Sequence, residues 1–145
     1  MIMFMKYTQD DLVSMIREAD LRVTPHRLLV FSVLSKTRQP LTVQAIVEKV
    51  RKKEDIDQAT VYRNLLSLNK SGLLRRLDFN HGHAHYEMDR GDSSIQLVCT
   101  NCETIEKIEK ISLEDIVKKM IKKSRKFKST TTSSVEVYGF CKNCA

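Results

Sequence analysis

This sequence of 145 residues has no tryptophan, and glycine and proline are scarce, with four and two copies. So little glycine and proline excludes a collagen-like or low-complexity chain. Long hydrophobic runs are also missing, because no apolar stretch approaches the roughly 20 residues that a membrane-spanning helix needs. The apolar start, residues 1–5, is too short for the core of a signal peptide. With 41% hydrophobic and 30% charged residues, the sequence predicts a folded, cytoplasmic protein of one or two small domains.

Acidic residues are in the minority, since 18 Asp and Glu stand against 25 Lys and Arg, for a net charge of +7. Such an excess favours an anionic partner, most often a nucleic acid. A lysine-rich surface that only keeps the protein in solution explains the charge equally well. Charge alone therefore leaves both interpretations open.

The four cysteines form two Cys-x-x-Cys pairs, Cys99 with Cys102 and Cys141 with Cys144. Clustered thiols are rarely disulfides in a reducing cytosol. Two such pairs complete a tetrahedral four-cysteine zinc site, and a filled site leaves no position for a substrate. We therefore expect one structural Zn²⁺ per chain. A thiol redox protein is the alternative, but a redox Cys-x-x-Cys typically begins a helix, and both pairs here follow strand-like sequence.

Apolar residues recur at helical spacing through the first half of the chain. Three such segments follow an N-cap residue, Thr8, Thr24 or Thr42, and a fourth begins at Asp57. Beyond Gly72 the period changes to two, and the strand-like segments 73–79 and 83–88 flank a turn signal, Asn80-His81-Gly82. Helices followed by a hairpin predict a winged helix-turn-helix whose fourth helix faces DNA.

The second half predicts a small α/β domain. Strand-like sequence covers 95–98, 105–108 and the region around Val135 and Val137, and a helix capped by Ser112 lies between them. The polar stretch 89–94 predicts a hinge. The expected organisation is α+β: a winged-helix domain over 1–88, the hinge, and an α/β domain with the zinc site over 95–145.

The polar residues 58–64 occupy the first two turns of the fourth helix. Arg63 is suited to guanine or phosphate, Asn64 to adenine, and Tyr62 to a thymine methyl group. An ordinary amphipathic helix with a solvated face is the alternative.

Several motifs occur in an order that resembles the ferric uptake regulator family over nearly the whole chain. They are Arg22-Val-Thr-Pro-His-Arg27, Ala59-Thr-Val-Tyr-Arg-Asn-Leu65, Ser71-Gly-Leu73, Cys99-x-x-Cys102 and Tyr138-Gly-x-Cys141-x-x-Cys144. The resemblance implies a homodimeric, metal-dependent repressor that binds a palindromic AT-rich operator and dimerises through its C-terminal domain. It implies DNA contacts by Tyr62 within the Thr60-Val-Tyr-Arg motif, and a minor-groove contact by Arg17 in the first helix.

The sequence departs from the family at the regulatory metal site. Ser94 and Gln96 stand at the usual histidine positions, Gln39 replaces a third histidine, and Lys107 replaces an acidic ligand. Neutral amides, hydroxyls and an ammonium are poor ligands for Fe²⁺ or Mn²⁺. Of the expected ligands, only Glu87 keeps its type.

A relocated regulatory site is one hypothesis. His83, His85 and Glu87 lie on one face of the second hairpin strand, because strand side chains alternate. Their spacing of nearly 7 Å along a strand is wide for one ion, and a solvated wing that contacts phosphate is the alternative. The chain either binds DNA without a sensed metal, senses Fe²⁺ or Mn²⁺ at the wing, or belongs to the peroxide-responsive branch with an altered site.

No catalytic arrangement is present, so we expect no enzyme and no small organic substrate. The expected partners are duplex DNA and a second copy of the chain. We expect no binding to a membrane. A zinc-ribbon RNA-binding protein remains an alternative that the basic charge and the cysteines allow.

Overall fold

The computed structural model describes residues 6–79, 82–91, 93–131 and 133–145. The chain divides into two compact units, Met1–Asp89 and Arg90–Ala145. No helix in the described part of the chain is long and apolar enough to cross a bilayer.

The first unit combines helices with a small antiparallel sheet. Its described elements are α1 (Gln9–Glu18), α2 (Pro25–Ser35), β1 (Leu41–Thr42), α3 (Val43–Arg51), α4 (Gln58–Lys70), β2 (Leu74–Asp78) and β3 (Ala84–Met88). The strand order is β1-β3-β2. Strands β2 and β3 form the predicted wing hairpin. Asn80 and His81 of the predicted turn lie outside the described residues, and Gly82 has a φ of +78°.

The N-caps predicted at Thr8, Thr24 and Thr42 are confirmed, and Asp57, predicted as the start of the fourth helix, is the N-cap of α4. Thr8 forms a complete capping box, since its Oγ1 accepts from the Asp11 backbone N–H while the Asp11 carboxylate accepts from the Thr8 N–H. The other three caps accept the backbone N–H three residues ahead, over 3.1–3.2 Å: Thr24, Thr42 and Asp57. Each bond satisfies a donor that the first helical turn leaves without a partner.

The predicted stop signal of α4, Gly72, is confirmed: the helix ends at Lys70, Ser71 is its C-cap, and Gly72 follows. This residue has a φ of +86°, and its N–H donates to the Asn69 carbonyl over 3.1 Å. The Leu73 N–H then reaches back to the Leu68 carbonyl over 3.1 Å. These two bonds form a Schellman motif, which turns the chain from the helix into β2.

A hydrophobic core holds the first unit together. Phe31 and Leu34 of α2 and Leu65 of α4 are fully buried in a cluster to which all four helices and the hairpin contribute. Burial of each such side chain stabilises the fold by roughly 1.5–3 kcal/mol. Strand β1, which the sequence did not predict, is a two-residue extension that pairs with Tyr86 and His85 of β3.

The second unit is a three-stranded sheet with one helix. Its described elements are β4 (Ser94–Cys99), β5 (Ile105–Ile108), α5 (Leu113–Lys123) and β6 (Ser134–Gly139). The order is β5-β4-β6, with β4 antiparallel to β5 and parallel to β6. Ser112 caps α5 by accepting from the Asp115 N–H over 3.3 Å, as the sequence predicts.

The apolar face of α5 is more exposed to solvent than the apolar face of a typical core helix. Leu113 is buried, but Ile116 and Met120 are 44% and 64% exposed. The short sheet of this unit leaves them uncovered. Further exposed apolar side chains lie in the same unit: Leu97, Ile111, Phe127, Val137, Tyr138 and Phe140.

Candidate metal centre and nucleic-acid interface

The four cysteines meet at one edge of the second sheet. Cys99 is the last residue of β4, and its register partner on β6 is Gly139. Because these two strands run parallel, their carboxyl ends lie at the same edge. Cys102 follows β4 by one turn, and Cys141 and Cys144 follow β6 in the same way. The four sulfur atoms all lie within 4.8 Å of one another, and no disulfide joins them.

Hydrogen bonds from neighbouring groups hold the sulfur atoms. The backbone N–H of Cys141 donates to the Cys99 Sγ over 3.4 Å, and the Asn101 side-chain amide donates to the Cys144 Sγ over 3.3 Å. Backbone N–H groups of Cys102, Cys141 and Asn101 lower the pKa of Cys99 to about 6. Donors directed at a sulfur stabilise its thiolate form, which is the form that binds metal. At Cys144 the Asn101 amide lowers the pKa, but the neighbouring thiols outweigh it and raise the pKa to about 11.

The geometry of this cluster fits a zinc ion. A tetrahedral Zn²⁺ with Zn–S bonds of about 2.3 Å places its sulfur ligands roughly 3.8 Å apart. The Sγ atoms of Cys102 and Cys141 are 3.6 Å apart, and all pairs are within 4.8 Å. Four thiolates complete the coordination, so a zinc ion here would have no open position for substrate. Within the described ranges, the cysteines are the one group of three or more candidate ligands close enough to hold a metal.

Two of the predicted DNA-contact residues project from the start of α4. Tyr62 is 44% exposed, and Arg63 is exposed as well. The Arg63 guanidinium donates to the Thr60 Oγ1 over 3.2 Å, so these two side chains lie together one turn apart. Thr60 itself is half-buried. The outer face of the first two turns therefore presents an aromatic ring and a cation.

Asn64 differs from the prediction. It is only 9% exposed, and its Nδ2 donates to the Thr60 carbonyl over 3.0 Å. The helical period places it on the same face as the buried Val61 and Leu68, and its amide is used within the helix. The structure therefore does not present Asn64 to a base.

Arg17 lies in the last turn of α1 and is exposed. Its position at a helix C-terminus is favourable for a cation, because the helix dipole is negative there. The minor-groove role that the family resemblance implies stays a prediction.

The structure does not bring His83, His85 and Glu87 together as a metal site. His83 is exposed, whereas His85 and Glu87 are buried at 4% and 2% exposure. The two imidazole rings are 5.3 Å apart between centroids. An Nη2 of Arg75 lies 2.8 Å from the Glu87 carboxylate, so a cation of the chain already pairs with the retained acid.

Sequence reasoning missed Arg75 and Asn101. Arg75 is the direct register partner of Glu87 in the β2–β3 hairpin. Opposite charges at facing positions of antiparallel strands stabilise each other. Aligning the two strands of the hairpin would therefore have identified Arg75 as the partner of Glu87. Asn101, inside the first Cys-x-x-Cys pair, gave no signal because many residue types occupy such turns.

Ser94 and Gln96 lie on β4, and Lys107 lies beside Gln96 on β5. Ser94 and Gln96 are 1% and 0% exposed. Lys107 is half-buried, and Gln39 is exposed in the segment before β1.

Comparisons with known proteins agree with these features. The ferric uptake regulator family model matches residues 18–138. A ferric uptake regulation protein from Legionella pneumophila is 30% identical over 131 residues, which cover 89% of this chain and 95% of that protein. The ferric uptake regulator of Vibrio cholerae has 27% identity and a TM-score of 0.75, and the match covers 88% of this chain and 98% of that one. The Pseudomonas aeruginosa regulator solved with manganese has 26% identity and a TM-score of 0.76 over 90% and 97%. This chain therefore belongs to the ferric uptake regulator family.

Proposed function

We propose that the protein is a DNA-binding transcription regulator, acting as a homodimer on a palindromic AT-rich operator in metal or peroxide homeostasis. The observation that carries the proposal is the pair of exposed side chains, Tyr62 and Arg63, on the second helix of a helix-turn-helix. In that motif, residues near the start of the recognition helix contact base edges in the major groove. The net charge of +7 supplies the electrostatic attraction to phosphate.

Repression is the expected mode of regulation. A dimer seated on a palindrome covers two half-sites about one helical turn apart, or a multiple of it. The structure of the Vibrio cholerae relative reveals a structural rearrangement of its DNA-binding domains. We assign the DNA contacts to the unit Met1–Asp89. The predicted hinge, 89–94, would have to end before Ser94, because Ser94 is the first residue of β4. Residues 95–145 would form the dimer, and the protein would act in the cytoplasm, where it meets DNA.

Zinc bound by the four cysteines would hold the dimerising unit folded. That unit buries few apolar side chains of its own, with Val98, Cys99 and Leu113 the main ones among its described residues. A small core is commonly supplemented by a structural metal. Cys99 and Cys102 after β4 and Cys141 and Cys144 after β6 would hold the zinc ion, whose role there would be structural.

Cys99→Ser tests both parts of this proposal. We expect the variant to lose its zinc, to become partly monomeric, and to lose most of its affinity for a duplex selected from a random DNA pool by the wild-type protein. Zinc is measured by elemental analysis and the dimer by sedimentation. Asn143→Ser is the matched control, because it changes an exposed residue within the second Cys-x-x-Cys pair without removing a ligand. An intact, DNA-competent Cys99→Ser dimer would contradict the proposed role of zinc.

The same selection distinguishes the proposal from RNA binding. A regulator of this kind should prefer its selected duplex DNA over the matching RNA duplex, because the narrow major groove of A-form RNA excludes a recognition helix. Equal affinity for the two would favour the zinc-ribbon RNA-binding alternative.

A further inference from the structure

A row of polar side chains crosses one face of the second sheet. Gln96, on the central strand β4, pairs in register with Lys107 on β5 and with Glu136 on β6. Residues that face each other on neighbouring strands project to the same side of the sheet. Ser94 lies on that side too, two residues before Gln96. An amide, an ammonium, a carboxylate and a hydroxyl therefore share one surface of this unit.

Two members of this row are deeply buried. Gln96 is 0% exposed and Ser94 is 1% exposed. Neither the amide atoms of Gln96 nor the hydroxyl of Ser94 has a hydrogen-bond partner among the residues that the structure describes. Buried polar groups without partners are costly. Core packing does not explain why these two polar side chains occupy buried positions.

The family implies a regulatory divalent cation at this place, and the side chains present do not fit one. A protonated lysine offers three donors and no lone pair, and its positive charge repels a cation. Hydroxyl and amide oxygens bind Fe²⁺ and Mn²⁺ more weakly than imidazole or carboxylate ligands do. Lys107 and Gln96 therefore form a poor donor set.

The first unit shows the same change of chemistry. Glu87 is the one ligand type that this chain keeps there, and its Oε1 lies 2.8 Å from Arg75 Nη2. Both side chains are largely withdrawn from solvent, with 17% and 1% exposure. A buried carboxylate that already has a guanidinium partner is neutralised without a metal.

We infer that this chain has exchanged the regulatory divalent cation for two cationic side chains of its own, Lys107 beside Gln96 and Arg75 beside Glu87, so that its DNA binding does not respond to added Fe²⁺ or Mn²⁺. The inference rests on the proposed function. A covalently attached cation is present at every metal concentration. The presence of a cation at the site therefore does not vary with the concentration of metal. DNA binding must then be regulated by another effector or by the amount of protein.

Metal titration of the zinc-loaded full chain is the direct test. Mn²⁺ alone is titrated by calorimetry, and the metal content is measured after dialysis. We expect zinc and no second ion, and an affinity for the selected duplex that stays within about twofold on adding Mn²⁺ or, anaerobically, Fe²⁺. Coupling between an effector and a ligand typically changes affinity about 5- to 150-fold. A retained second ion, or a rise in affinity of that size, would overturn the inference, including a second ion that is lost on His83→Ala.

Two matched variants test the effect of exchanging the side chain at position 107. The triple variant Ser94→His, Gln96→His, Lys107→Glu restores two imidazoles and a carboxylate, and we expect it to bind one Mn²⁺ beyond zinc. The double variant Ser94→His, Gln96→His differs only in keeping Lys107, and we expect it to bind Mn²⁺ at least tenfold more weakly, roughly the effect of losing one ligand and adding one repelling charge. Equal affinity in the two variants would show that Lys107 does not exclude the ion. If the substitutions at buried Gln96 prevent folding, the wild-type titration decides alone.

The experiments separate this inference from the proposed function. If the wild-type protein selects no duplex under any metal condition, the proposed function fails. If it selects a duplex but binds it only with Mn²⁺ or Fe²⁺, the proposed function stands and the exchange of cations is wrong.

Discussion

Arg63 shows how a single side chain connects the helix to its proposed ligand. Its guanidinium is exposed and donates to the Thr60 Oγ1 over 3.2 Å. This bond restricts the rotamers of a long side chain, so the side chain loses less conformational entropy when it binds DNA. Because the side chain is exposed, its guanidinium is accessible to a guanine edge or a phosphate.

We expect Arg63→Ala to weaken binding of the selected duplex by about 1–3 kcal/mol, roughly 5- to 160-fold, if the guanidinium contacts a base. The loss should be larger for the selected duplex than for an unrelated one. Lys70→Ala removes the same charge from the other end of α4 and serves as the control. If both variants lose affinity equally, Arg63 acts only through its charge, and a base contact is excluded. The measurement is fluorescence anisotropy at two salt concentrations.

Asp57 caps the recognition helix and also titrates. The Thr60 side chain and backbone N–H donate to its carboxylate and lower its pKa from the usual 3.8. A lowered pKa in the folded state means that this contribution to stability is present above pH 3.8 and is lost as the pH falls through the folded-state value. Asp57→Asn keeps a good cap without a titrating charge.

We therefore expect wild-type protein to lose more stability than Asp57→Asn between pH 5 and about pH 3. Urea unfolding followed by circular dichroism measures the difference. Asp55→Asn, which removes an acid from the neighbouring loop, should follow the wild type. Identical acid sensitivity of all three proteins would show that the Asp57 cap is not linked to folding.

At the scale of elements, the end of α4 depends on one glycine. Gly72 has a φ of +86°, a left-handed conformation that strains any residue with a Cβ, although the space around it is open. The Schellman bonds of Gly72 and Leu73 then fix the direction in which β2 leaves the helix.

We expect Gly72→Ala to destabilise the protein by about 1–2 kcal/mol. Gly72→Asn should cost less, because asparagine visits the left-handed region more readily than alanine does. Thermal unfolding compares the two. Since no neighbouring atom lies within 4 Å of the added Cβ, the effect is conformational and not steric. A larger loss for asparagine than for alanine would contradict this explanation.

At the scale of the whole molecule, the second unit leaves a large part of its apolar surface uncovered. Ile116 and Met120 on α5 and Val137 on β6 are 44–64% exposed. Exposed apolar surface of this extent is typical of protein interfaces. The opposite side of α5 carries lysines, which separates the two faces of the helix.

We expect Met120→Asp to weaken the proposed homodimer by about tenfold or more, because the change would bury an unpaired charge in the interface. Lys118→Asp, on the lysine-rich side of α5, should leave the dimer nearly unchanged. Sedimentation velocity over a concentration series measures both. Unaltered association of Met120→Asp would place the dimer interface elsewhere.

Local rules determined much of this protein. The caps at Thr8, Thr24, Thr42 and Asp57, the stop at Gly72 and the change of period after it depend on residues within one or two turns, so the sequence contained them. The spacing of the cysteines determined two thiol pairs, because a Cys-x-x-Cys turn brings its two thiols together wherever it lies.

Only the tertiary structure decided how separate segments meet. The parallel pairing of β4 with β6 brings Cys99 and Cys141 to one edge, and the register of β2 and β3 pairs Arg75 with Glu87. The packing of α4 turned Asn64 inward, although its chemistry suits adenine. Strand register and helix rotation depend on the summed burial of many side chains, and no single motif carries that sum.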